Sequence, residues 1–196
     1  MNVLLLGPQG AGKGTQAVRI AEVHGVPHVA TGDMFRAAVA AGTELGRRVE
    51  PILASGQLVP DEITVALIRE RLAEADAAGG FVLDGFPRTL AQAEALDAML
   101  AEIERPLSIV LLLELDDGTC RDRMRKRAEL EGRADDAKPE VIERRLEIYH
   151  RDTEPVVEHY LGTGKLVKVH AEREIPEVFA EIEEALATVE GREVSA

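Results

Sequence analysis

The chain has 196 residues, a net charge of −13, 45% apolar residues and only 3% aromatics, so its core must be large and aliphatic. The acidity argues against broad nucleic-acid binding, which needs a basic surface, but it leaves room for a local arginine-lined cleft; solubility is its plainest reading. Cys120 is the only cysteine, which excludes an internal disulfide and a multi-cysteine zinc site and points to a buried, inert thiol. The apolar stretch at the start has no basic leader and is too short for a signal peptide, and no run approaches membrane-spanning length. A cytosolic protein is expected.

In chain order, residues 3–6 form the first strand candidate, a continuous apolar run as expected of a parallel strand buried on both faces. It enters Gly7-Pro8-Gln9-Gly10-Ala11-Gly12-Lys13-Gly14-Thr15, which opens a helix. A second strand, 28–30, is followed by two helical stretches joined at Gly42-Thr43, a helical insertion. A helix is predicted over 62–78 and a strand over 81–83. The helix 90–102 carries Leu90, Ala93, Leu96 and Leu100 on one stripe. Strands follow at 109–115 and 166–169, with a basic stretch, 121–133, between them. The last helix, 176–189, has Val178, Ile182 and Leu186 on one face, and 190–196 is expected to fray. Strand–helix alternation implies an α/β fold with right-handed crossovers.

Strand, glycine-rich loop, Gly-Lys and helix together are the context of a phosphate-binding P-loop. Glycines let the backbone curl its N–H groups around phosphate oxygens, the helix N-terminus adds its dipole, and Lys13 adds a mobile charge. The residue after Lys13 is Gly14 rather than Ser or Thr, which makes Thr15 the candidate magnesium contact. Further polar clusters follow later strands: Thr31 to Arg36, with Thr31 placed to cap a helix; Gly56 to Glu62; and Asp84-Gly85-Phe86-Pro87-Arg88-Thr89. Gln92, Arg123, Arg127, Arg133 and Arg144-Arg145 come after. Singly these have plainer readings. Arg123 and Arg127 could be a solvated helix face paired with Asp122 or Glu131, Asp84 a helix cap, Gln92 a surface residue, and the five scattered histidines packing or surface groups.

Together, the loop with Gly14-Thr15-Gln16 and the run Gly85-Phe86-Pro87-Arg88-Thr89 resemble the adenylate kinase family, and the resemblance covers nearly the whole chain. It implies a P-loop three-layer α/β fold on a five-stranded parallel sheet. The core would comprise 1–29, 60–126 and 134–196, with a lobe for the nucleoside monophosphate at 30–59 and a short lid at 127–133. It implies reversible transfer of the terminal phosphoryl group of ATP to AMP, giving two ADP, by a monomer that binds neither nucleic acid nor membrane. Gly10, Ala11, Gly12, Lys13, Gly14, Thr15, Arg123, Arg127 and Arg173 would bind ATP. Thr31, Arg36, Gln57, Leu58, Val59, Gly85, Phe86, Pro87, Arg88, Gln92, Arg133 and Arg145 would bind AMP. Lys13, Arg88, Arg123, Arg133 and Arg145 would serve the transfer, and Thr15 and Asp84 would hold Mg2+, Asp84 through water. The short lid lacks cysteines, so no zinc is expected. Phosphoryl transfer to an anionic acceptor needs positioning and charge neutralisation rather than a base, which fits arginines in place of a poised His or Cys.

The chain departs from the family pattern at Pro8-Gln9, in a longer loop at Ala137 to Glu140 that makes Arg145 rather than Arg144 the match, and at His170-Ala171. A UMP/CMP kinase shares the fold, but Thr31 and the Thr89 to Gln92 run favour adenine. A non-kinase P-loop regulator leaves Arg36, Arg88 and Gln92 unexplained.

Overall fold

The computed structural model describes residues 1–131 and 138–193. Five parallel strands, β1 (Asn2–Leu6), β2 (His28–Ala30), β3 (Phe81–Asp84), β4 (Ile109–Glu114) and β5 (Leu166–His170), form one sheet in the order β2-β3-β1-β4-β5. β1 pairs with β3 on one side (Leu5 opposite Asp84) and with β4 on the other (Leu6 opposite Leu112). The strand order therefore reverses at β1, and in such sheets ligands bind outside the carboxyl ends at the reversal.

Continuous apolar runs make β1, β3 and β4 because both sheet faces are covered. On one face, α4 (Asp61–Leu72), α5 (Leu90–Glu102) and α8 (Glu154–Leu161) contribute Ile68, Leu96, Leu100 and Tyr160 to a core with Leu4, Leu83 and Val110. On the other, α1 (Lys13–His24) and α9 (Ile175–Glu193) contribute Ile20, Val178, Ile182 and Leu186 against Val3, Leu5 and Leu111. The three-layer arrangement is the expected one. Removing one such side chain, as in Leu96→Ala, costs about 2–5 kcal/mol.

Two smaller units stand apart from these layers. α2 (Thr31–Ala40) and α3 (Glu44–Ala54) form the helical insertion, with Thr43 capping α3 by accepting from Gly46 N–H at 3.0 Å. Phe35, Val49 and Val59 are their shared core. α6 (Asp117–Glu131) and α7 (Pro139–Ile148) close over Cys120, Met124, Ile142 and Leu146. One π-helical turn, Tyr149–Thr153, joins α7 to α8.

Two sequence expectations change. The helix of 62–78 ends at Leu72, and a 3-10 turn, Ala75–Ala77, follows; Arg71 turns back to Asp76 through bonds of 2.8 and 2.7 Å and holds the break. Leu90 is 43% exposed, so the buried stripe of α5 starts at Ala93, and Met99 joins Leu96 and Leu100 on it. β5 is an edge strand with Val167, Lys168 and His170 exposed. Residues 127–131 of the expected lid continue α6 as helix.

Candidate active site

Every strand end delivers one part of a single cleft of about 820 Å³. β1 delivers the phosphate loop. Gly7 and Gly10 take φ of 136° and 89°, and a Cβ on either would press on backbone, at 2.5 Å from Leu113 O and 2.9 Å from Cys120 O. The loop can lie against β4 and α6 only because those positions lack side chains. Residues 9–16 line the cleft, so the first turn of α1 and its dipole open onto it. Lys13 Nζ donates to the carbonyls of Gly7 (2.7 Å) and Pro8 (2.8 Å). Burial, reinforced by Arg88 and Arg127 and partly countered by Asp84, pushes its pKa down to about 8.

β3 delivers Asp84, Gly85 and Arg88. Gly85 O accepts from Thr31 Oγ1 (2.8 Å) and from Arg88 Nε (2.7 Å), while Thr153 Oγ1 donates to Arg88 O at 2.9 Å. Burial lowers the Arg88 pKa to about 10; Asp84 opposes this, and Arg145, Arg36 and Arg127 add to it. β4 leads into α6, whose Arg123 donates to the carbonyls of Ala171 (2.8 Å) and Glu172 (3.2 Å) just past β5. Eight cationic side chains line the cleft against four carboxylates among the described residues, in a chain that is acidic overall. The local field is thus opposite in sign to the net charge, as an anion site requires.

The cleft is lined by Gly10, Ala11, Gly12, Gly14, Thr15, Thr31, Arg36, Gln57, Leu58, Val59, Gly85, Arg88, Gln92, Arg123, Arg127, Arg145 and Arg173 together with Lys13 and Asp84. Arg36 pairs with Asp33 at 2.5 Å, and Arg173 with Glu181. Arg145 lines the cleft, and Arg144 is exposed outside it.

Burial raises the pKa of Asp84, but His28, Lys13 and Arg88 outweigh it and hold the carboxyl below its usual range. His28 Nε2 lies 3.6 Å from Asp84 Oδ2, too far for a hydrogen bond. A Cβ on Gly14 would stand 3.5 Å from the same oxygen, so the missing side chain after Lys13 leaves the space before the carboxylate open. The ionised Asp84 carboxylate and the Thr15 hydroxyl, both on the cleft wall, are hard oxygen donors, which fit Mg2+.

The adenylate kinase family model matches residues 5–165. The adenylate kinase of Phenylobacterium zucineum is 51% identical over 95% of this chain and 97% of its own length. That of Caulobacter vibrioides (strain NA1000 / CB15N) is 49% identical over 96% and 98%. That of Micrococcus luteus is 48% identical over 95% and 91%. The chain belongs to the adenylate kinase family.

Within this adenylate kinase frame, several placements differ from the sequence reading. Thr31 does not cap α2. It is the first helical residue, Ala30 precedes the helix, and the hydroxyl goes to Gly85 instead. Phe86 is 1% exposed in the sheet core, and Pro87 lines a separate cavity of about 30 Å³ behind the loop; neither lines the cleft. Arg133 lies outside the described residues. His28, Lys126 and Ile175 line the cleft without having been singled out. For His28 the signal was its position on β2, whose Ala30 pairs with Asp84. The other four histidines each meet a carboxylate at the surface: Glu183 for His24, Asp117 and Glu154 for His150, Asp97 for His159 and Glu181 for His170. Cys120 is buried, and burial with Asp117 pushes its thiol up to about 11, so it is inert.

Proposed function

We propose that this protein transfers the terminal phosphoryl group of ATP to AMP, reversibly, giving two ADP. The observation that carries the reading is the convergence of Lys13, Arg36, Arg88, Arg127 and Arg145 on one cleft, between a phosphate loop and a second, polar seat around Gln92. A nonbridging oxygen of the AMP phosphate attacks the γ-phosphorus. That P–O bond forms as the bond from the γ-phosphorus to the β,γ-bridging oxygen breaks, and the electron pair stays with ADP. The acceptor is already an anion, so no proton must leave it.

Gly10, Ala11, Gly12, Lys13, Gly14 and Thr15 hold the ATP phosphates, with Arg123 and Arg127 beside them and Arg173 toward the base. Arg36 and Arg88 hold the AMP phosphate, and Arg145, with Arg133, neutralises the group in transit. Planar guanidinium forks match phosphate oxygens in pairs, which explains the excess of Arg over Lys. Thr31, Gln57, Leu58, Val59, Gly85 and Gln92 surround the AMP nucleoside. Bound Mg2+, held by Thr15 and through water by Asp84, would add charge neutralisation on the phosphates. Two cations with depressed pKa values support the reading, because phosphate between them offsets the cost of burying their charges. The insertion of 30–59 and the lid of 127–133 close over the substrates to exclude water. The protein acts as a cytoplasmic monomer.

The test offers ATP and Mg2+ with AMP, UMP, CMP or GMP in parallel. AMP should exceed the others in kcat/KM by at least about a hundredfold, because a buried amide is left unpaired by the wrong base. Equal use of CMP or UMP would replace the reading by a pyrimidine nucleotide kinase.

A further inference from the structure

Gln92 is 2% exposed, and its amide is held at both ends. Its Oε1 accepts from the backbone N–H of Arg88 at 2.8 Å, and its Nε2 donates to Asp61 Oδ1 at 2.7 Å. A backbone N–H can only donate and a carboxylate can only accept. The amide therefore has one permitted sense: reversed, two donors would meet at Arg88 and two acceptors at Asp61. Asp61 is itself fixed. Its Oδ2 accepts from Thr89 Oγ1 at 3.0 Å, and that hydroxyl accepts from the N–H of Gln92 at 3.2 Å. Asp61 is the first residue of α4, where the chain returns from the helical insertion to the sheet, and Thr89 caps α5.

Each amide atom keeps one free position: a second lone pair on Oε1 and a second proton on Nε2. A 6-aminopurine offers a donor at the 6-amino group and an acceptor at N1, which matches that order. A 6-oxopurine offers an acceptor at O6 and a donor at N1, and it would need the amide reversed.

We infer that Asp61 is a specificity-determining positioning residue: it locks the Gln92 amide in the one sense that accepts a 6-aminopurine and refuses a 6-oxopurine. The inference rests on AMP as the acceptor. Asp61 touches no substrate; it acts through Gln92. Arg88 N–H restrains only the oxygen, so without Asp61 the Nε2 end can swing and the 6-position loses its reader.

The test compares AMP with IMP, which differ at the 6-position and N1 and little in size, at saturating ATP. Wild type, Asp61→Ala and Asp61→Asn are measured for kcat/KM with each acceptor, for KM of ATP and for Tm. Asp61→Ala should reduce the AMP/IMP ratio about tenfold, the loss of one hydrogen bond to a charged partner, with KM for ATP unchanged. Asp61→Asn, whose Oδ1 can still accept from Nε2, should keep most of the ratio. Asp61→Ser, well suited to the start of a helix, gives the same reading as alanine should that variant fail to fold. Equal losses on AMP and IMP, leaving the ratio intact, would mean that Asp61 is only structural and would overturn the proposal. A wild type that uses IMP as well as AMP would instead overturn the acceptor reading beneath it.

Discussion

Gly85 joins three parts of the acceptor side, and Gly85→Ala is the sharpest test of how they are joined. Its carbonyl ties Thr31 to Arg88, and its φ of 78° lies in the left-handed region. A Cβ there would sit 2.8 Å from Thr31 Oγ1 and 3.1 Å from Arg88 Nη2. Holding an L-residue at that φ costs roughly 1–2 kcal/mol, and pushing the Thr31 hydroxyl off its carbonyl costs about 1 kcal/mol more. Together these lower Tm by roughly 4–12 °C for a chain of this size. The functional effect should be one-sided. Arg88 moves off its anchor, and a displaced charged hydrogen bond to the AMP phosphate lowers kcat/KM for AMP roughly 10- to 100-fold. The phosphate loop is untouched, so KM for ATP stays at its wild-type value. Coupled initial rates with each nucleotide varied in turn, alongside thermal unfolding, supply both readings. A folded variant with unchanged kcat/KM for AMP, or with equal losses on both nucleotides, would refute this account of the Gly85 junction.

Lys13→Ala should fold normally by circular dichroism and lose turnover by about 100-fold or more, because a preorganised charge on the transferring group is gone; near-normal turnover would remove the loop lysine from the mechanism. Arg123→Ala should raise KM for ATP roughly tenfold with a smaller effect on AMP, since Arg123 ties α6 to the loop after β5 on the ATP side; steady-state kinetics with each nucleotide decide it. Protonated His150 donates from Nδ1 to Glu154 (2.7 Å) and from Nε2 to Asp117 (3.0 Å), and the Glu154 bond above all raises its pKa, against burial. The folded value lies above the unfolded one, so this contribution is complete below about pH 6.5 and fades as pH rises through the folded value. Wild type should therefore exceed His150→Gln in Tm at pH 6 and match it by pH 9; a gap that widens with pH would contradict the sign.

The sheet was legible because most of its strands are continuous apolar runs, and the phosphate loop because strand, glycines, lysine and helix occur together. Leu90 and the break after Leu72 were not, since periodicity does not say where a helix leaves its neighbour or where an arginine folds back on an aspartate. Most cleft residues were legible as an ordered set. What the set could not give was their connection. Thr31 looked like a cap because a threonine after a strand usually is one, whereas the hydroxyl is taken by Gly85 from 54 residues away. Asp61 lies within the stretch Gly56 to Glu62 and carries no mark of its bond to a glutamine 31 residues on. Such bonds depend on how α4 and α5 pack, and packing is not written in spacing.

The electrostatics explain why the chemistry needs these residues and no base. Lys13 and Arg88, pushed down to about 8 and about 10 respectively, have charged forms that are disfavoured by burial above all and by the arginines around them. A general base would be a group made easy to protonate; these are cations held where their charge is costly. Phosphate oxygens between them remove that cost, and the gain is greatest where negative charge is most concentrated between the two seats, which is on the group in transit. Asp84 opposes both at the centre, and it lowers the cost without cancelling it. The same repulsion favours any movement of Arg36, Arg127 and Arg145 that brings them onto phosphate. On the proposed reading, substrate binding and closure draw on one source of free energy, and a neutral substitution among these arginines should weaken both together.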